Sequence, residues 1–183
     1  MQECFIKEGE YMNIKCVENE EKYIRTIEEM GEGLVLFKTC IVNRRFGQNF
    51  HLFFSDKRKP PLDIAINPER KTIEYFSYFA QDEKIVERGV KNEVKYKSGI
   101  VTIEEDLFGE ENTNIELERS FEIVKNKSNI FILSSELTNE PLQAYQIDST
   151  NYLLFSNSNE FCGILLKEIS KKELEEIKNS KCL

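Results

Sequence analysis

Ile115-Glu116-Leu117-Glu118-Arg119-Ser120-Phe121-Glu122-Ile123 decides the fold class. It puts Ile115, Leu117, Phe121 and Ile123 on one side and Glu116, Glu118, Ser120 and Glu122 on the other. A period of two is the signature of an extended strand with one buried and one wet face. The same reading outward gives strands near 11–17, 33–42, 50–55, 62–67, 72–79, 93–97, 100–105, 129–134, 142–148, 151–156 and 161–167. Turn chemistry separates them, as at Phe46-Gly47-Gln48-Asn49, Asn67-Pro68-Glu69, Ser98-Gly99 and Asp148-Ser149-Thr150-Asn151. Links this short join antiparallel neighbours, whereas a parallel crossover needs about a dozen residues. A mainly antiparallel, meander-like sheet is expected.

Two helices complete an α+β reading. Ser170 is placed to cap the last one, with Glu173 three residues on for a capping box and Ile169 to staple against Leu174. Leu174 and Ile177 then face inward. The second, N-terminal helix spans about 20–30, with Tyr23, Ile27 and Met30 on one face and Gly31 as its terminator. Tyr23, Arg25 and Ile27 also alternate, so a strand stays open there. At 183 residues, without a repeat or a linker rich in glycine or proline, the chain reads as one domain, 1–183.

Composition narrows the function classes. There are 25 basic and 33 acidic residues, a formal charge of -8, which disfavours nucleic acid or an anionic membrane as the main partner. No apolar run approaches the roughly 20 residues of a membrane span, and the first residues lack a signal peptide's basic start and apolar core. A cytoplasmic protein is expected. The five cysteines, Cys4, Cys16, Cys40, Cys162 and Cys182, form no Cys-x-x-Cys pair and read as reduced, mostly buried thiols. Neither a metal nor a cofactor is called for. Phosphate-loop, dinucleotide-fold, nucleophile-elbow and zinc-protease motifs are absent from the sequence.

Four features carry chemistry. His51 is the only histidine, so imidazole catalysis must pass through it; a hairpin of 33–42 with 50–55 would bring Cys40 within reach as a dyad, against a plain half-buried histidine. Asp63 and Glu74 are the strand carboxylates available as an acid/base pair. Thr72 to Phe79 sets Phe76 and Tyr78 on one face and Tyr75 and Phe79 on the other, a central strand or the wall of a ligand groove. Residues 43–71 hold seven basic against three acidic residues, in loops at both ends of the sheet.

The acidic stretch 104–112 fails calcium-loop spacing and reads as a solvated loop or a contact surface for a basic protein. Its candidate partner-binding residues are Glu104, Glu105, Asp106, Phe108, Glu110 and Glu111, with Phe108 either anchoring the loop or meeting the partner. No catalytic residue is assigned. The C-terminal third, Gln146-Ile147-Asp148, Asn151-Tyr152-Leu153-Leu154-Phe155, Gly163-Ile164-Leu165-Leu166 and Ser170-Lys171-Lys172-Glu173-Leu174, resembles small acidic cytoplasmic immunity proteins of bacterial toxin–immunity pairs. The resemblance implies a non-enzymatic inhibitor that covers a basic toxin domain with an acidic surface. The alternatives are a carboxylate- or tyrosine-based small-molecule enzyme and a small-ligand or scaffold module.

Overall fold

A computed structural model describes residues 12–15, 21–103, 108, 111–137 and 139–182. The strands are β1 (Met12–Lys15), β2 (Tyr23–Gly31), β3 (Leu34–Ile41), β4 (Phe50–Ser55), β5 (Leu62–Ile66), β6 (Ile73–Gln81), β7 (Val86–Glu87) and β8 (Val94–Lys97). They continue with β9 (Ile100–Ile103), β10 (Asn114–Glu118), β11 (Phe121–Asn126), β12 (Asn129–Ser134), β13 (Leu142–Gln146), β14 (Asn151–Phe155) and β15 (Phe161–Leu166), and end in helix α1 (Lys171–Asn179). A six-stranded sheet runs β10-β4-β5-β6-β3-β2 and a seven-stranded one β7-β11-β12-β15-β14-β13-β8, with β1 and β9 paired apart.

The two large sheets share one core. Val35, Phe37, Leu52, Phe54, Ile64, Phe76 and Tyr78 from the first meet Ile123, Ile132, Leu153, Phe155, Ile164 and Leu166 from the second. Phe54 packs on Phe161 at 4.8 Å between ring centres, and Tyr78 meets Phe121 edge-on at 6.1 Å. Each aromatic pair adds roughly 0.5–1.5 kcal/mol to its burial. Ile177 of α1 reaches the same cluster, fully buried.

The stretch that sets the fold class is two strands, not one. β10 pairs with β4 and β11 with β12, so the chain leaves one sheet and enters the other at Arg119-Ser120. Arg119 falls in the apolar phase of the alternation, where its guanidinium lies over the Phe54 ring and donates to the Phe161 carbonyl across the layers. A strand that changes sheets this way makes a sandwich corner.

Two further expectations are corrected. Residues 23–31 form strand β2, not an N-terminal helix: eight of its nine residues pair antiparallel with β3, with a bulge at Met30, and Gly31 and Gly33, at φ of 134° and 76°, turn the hairpin instead of ending a helix. Tyr23, Ile27 and Met30 suit either period, and a ladder to β3 decides for the strand. The sheets are mixed: nine of the twelve strand pairings are antiparallel, but β10 on β4, β7 on β11 and β8 on β13 are parallel edge additions. Long stretches of chain separate these partners, so short turns never had to make them.

The second sheet is curled by its own chain length. β7 and β8 lie at opposite edges, six intervals or about 29 Å apart if the sheet were flat. Only seven residue steps join Glu87 to Val94, a reach of about 25 Å. The strap closes over a second cluster, Val124, Phe131, Leu133, Leu142, Ala144, Leu154, Cys162 and Leu165, with Val90 and Val94 packed against it. In the middle of this sheet Gly163, at φ 143°, passes so close to β12 that a Cβ there would sit 2.0 Å from the Ile132 carbonyl oxygen. No helix among the described residues is long and apolar enough to cross a membrane.

Candidate functional site

β2 is an edge strand, and α1 lies beside it. Alternating residues of an antiparallel strand point their N–H and C=O groups to opposite edges. The Val42 amide donates to the Lys22 carbonyl on the β3 side, while the Glu29 amide donates to Glu176 of α1 at 3.0 Å on the other. Arg25 and Ile27 share the phase of Glu29, so their backbone groups face away from β3, and no described strand lies on that side of β2. Between this edge and the helix runs a groove of about 680 Å³, lined by Arg25 to Glu29 and by Ser170, Lys172, Glu173 and Glu176. That volume falls within the usual range of ligand sites, about 300–1,000 Å³.

Arg25 holds the groove together. Its Nε and Nη2 donate to the two Glu173 carboxylate oxygens at 2.7 and 3.1 Å, and Nη1 donates to the Lys167 carbonyl at 2.7 Å. The two side chains are 10% and 16% exposed. Glu173 also accepts from the Ser170 amide at 2.8 Å, and Ser170 caps Glu173 in return, completing the expected box. Burial pushes the Glu173 carboxyl upward, but the Arg25 and Ser170 hydrogen bonds outweigh it and hold it below the ordinary carboxylate range. With Arg25 neutralised, the rim carries Glu28, Glu29 and Glu176 against Lys172: the groove is acidic.

A second constellation lies on the outward face of the six-stranded sheet. Register aligns Cys40, Tyr75, Ala65 and His51 in one rung and Lys38, Ser77, Asp63 and Phe53 in the next. His51 Nδ1 is 2.9 Å from Asp63 Oδ1, and the Tyr75 hydroxyl donates to Asp63 Oδ2 at 2.8 Å. Desolvation, then the Asp63 carboxylate, raise the Tyr75 phenol well above its usual value. His51 is half-buried, stacked on Phe53 at 5.3 Å. Cys40 is three strands from it, roughly 14 Å along the rung, so the Cys40–His51 dyad is not assembled. Glu74 is on the core side, bonded by Asn67, so it forms no pair with Asp63. The aromatics of β6 divide: Phe76 and Tyr78 in the core, Tyr75 and Phe79 half-buried outside.

Of the acidic partner-binding residues, Glu104, Glu105, Asp106 and Glu110 lie outside the described residues. Glu111 is exposed. Phe108 is buried, its ring stacked on Phe50 at 4.7 Å. Sequence reading missed the β2 edge and its rim of Glu28, Glu29 and Glu176. The alternation at Tyr23, Arg25 and Ile27 was the available signal. Of the cysteines, Cys40 and Cys182 are free thiols, and no metal-ligating group of three or more residues occurs among the described residues. No protein-family model matches the chain and no curated protein matches it, which leaves the chemistry of these two surfaces to carry the functional argument.

Proposed function

We propose that this chain is a non-enzymatic, cytoplasmic binding protein of the immunity type, one that receives an extended basic segment of a partner protein along β2. The observation that carries the reading is the outer edge at Arg25 and Ile27, covered by no described strand and set in a groove whose rim carries Glu28, Glu29 and Glu176 against Lys172. Strand addition takes affinity from main-chain hydrogen bonds and specificity from flanking side chains. Complementary charge speeds the encounter and selects against acidic partners. A net charge of -8 extends that selection over the whole molecule. The free thiols of Cys40 and Cys182 suit a reducing compartment.

The test is capture from the lysate of the source organism, with the wild-type chain and a Glu28→Lys/Glu29→Lys variant as baits. A single stoichiometric basic protein, retained at low salt and reduced at least tenfold by the variant, supports the reading. Amide exchange on the complex should then slow at Arg25 and Ile27. Equal capture by both baits, or a complex that leaves those two amides unprotected, overturns it.

A further inference from the structure

We propose that the outward face of the six-stranded sheet binds a phosphate group, free or as the monoester of a small molecule, between Lys38 and Arg44 above Tyr75. Independently of the β2 groove, two cations converge on one ring here. Lys38 Nζ lies 5.0 Å and the Arg44 guanidinium carbon 5.4 Å from the centre of the Tyr75 ring. The two heads are therefore no more than about 10 Å apart, within the span that rotation of two long side chains closes around one anion.

Neither cation has a carboxylate partner among the described residues. Nine described cations, Arg25, Arg45, Arg58, Lys59, Arg70, Arg88, Lys95, Lys125 and Lys181, form ion pairs, whereas Lys38 and Arg44 instead share one aromatic ring. Acids outnumber bases by 33 to 25, so carboxylates are in ample supply. Asp63, on the rung of Lys38 and Ser77, has one oxygen on His51 and the other on the Tyr75 hydroxyl. Asp63 thus fixes the ring that both cations approach.

The chemistry selects the ligand. An attraction of roughly 0.5–1 kcal/mol to the ring face keeps each exposed head in place while leaving its N–H donors free. Arginine's planar fork matches two oxygens of a tetrahedral anion, and lysine adds a compact point charge. Two full positive charges answer the charge of about -1.5 to -2 that a phosphate monoester carries near pH 7, whereas a lone carboxylate balances one. Ser77, paired with Lys38 across β3 and β6, supplies a hydroxyl on the same rung.

Because His51 is the sole histidine, its ring signals report on this face without overlap. Inorganic phosphate titrated into the labelled full-length chain at constant ionic strength should move the Tyr75 and His51 ring signals along a saturating curve. Lys38→Gln and Arg44→Gln should each weaken that response at least fivefold. Lys57→Gln and Arg58→Gln, exposed cations at the other end of β4, should leave it unchanged. Phenyl phosphate binding more tightly than phosphate identifies an ester as the ligand, and equal binding identifies the free ion. A linear response, equal binding of acetate, or the same curve in the Lys38 and Arg44 variants overturns the proposal.

Discussion

Removing the Arg25 guanidinium tests whether α1 is held on β2 by one ion pair. The pair has two charge-assisted bonds, 2.7 and 3.1 Å, between side chains that are 10% and 16% exposed. Exposed pairs contribute up to about 1 kcal/mol and breaking a buried one costs about 3–5, so this geometry, partly open to the groove, places the coupling near 2 kcal/mol. Arg25→Ala should cost about 3 kcal/mol in all, because the Lys167 and Glu168 carbonyls also lose a donor. Urea unfolding of wild type, Arg25→Ala, Glu173→Ala and the double variant isolates the pair, since the Ser170 contact of Glu173 cancels around the cycle. The pH dependence has a definite sign. Glu173 is held below its unfolded value, so its contribution is present above about pH 5 and is lost as pH falls through the folded-state value. A coupling under about 0.5 kcal/mol at pH 7, or one unchanged between about pH 5 and 2.5, refutes the latch.

Three further outcomes are expected. Gly163→Ala should cost at least about 3 kcal/mol, read as a lower urea midpoint at constant slope, because it adds left-handed strain to a Cβ 2.0 Å from the Ile132 oxygen. Phe108→Ala should lose about 3 kcal/mol if the ring is an anchor on Phe50, whereas a change under about 0.5 kcal/mol would make it a surface residue. The Tyr78 phenol is raised far above its usual value, first by burial and then by Glu83, so the folded state keeps a proton that the unfolded chain releases near pH 10. Stability therefore falls as pH rises past about 10, and Tyr78→Phe should fall less steeply in the same urea series.

Strand positions were legible because each is a local pattern. Val35, Phe37, Thr39 and Ile41 alternate with half-buried neighbours just as their types suggest, and the Ser170–Glu173 box formed as written. Partners were not legible, because pairing is decided between residues far apart in sequence. Arg119 within an apolar phase marked a change of sheet only once Phe54 and Phe161 were seen on either side of it. Glu173 carried a second role that its capping motif hides, since its other partner lies 148 positions away. The three parallel edge additions leave no trace in turn chemistry. β2 escaped because an edge strand needs only one neighbour, so Ile24 and Met30 stay exposed and blur the period that would have identified it.

The proposed binding edge is short, and that fixes how it must work. With the Glu29 amide already given to Glu176, Arg25 and Ile27 are the outward-phase positions of β2 left to the groove among the described residues, enough for about four ladder hydrogen bonds. At a net 0.5–1.5 kcal/mol each these contribute roughly 2–6 kcal/mol, while micromolar affinity needs about 8 and nanomolar about 12. The remainder has to come from side chains, and the rim offers Glu28, Glu29 and Glu176. Such contacts are screened beyond about 10 Å at 0.1 M salt. Association should therefore slow at least tenfold between low salt and about 0.5 M, with dissociation changing less. A complex whose association rate ignores salt would place its binding energy elsewhere on the molecule, and the β2 groove would then be a seam between strand and helix rather than a receptor.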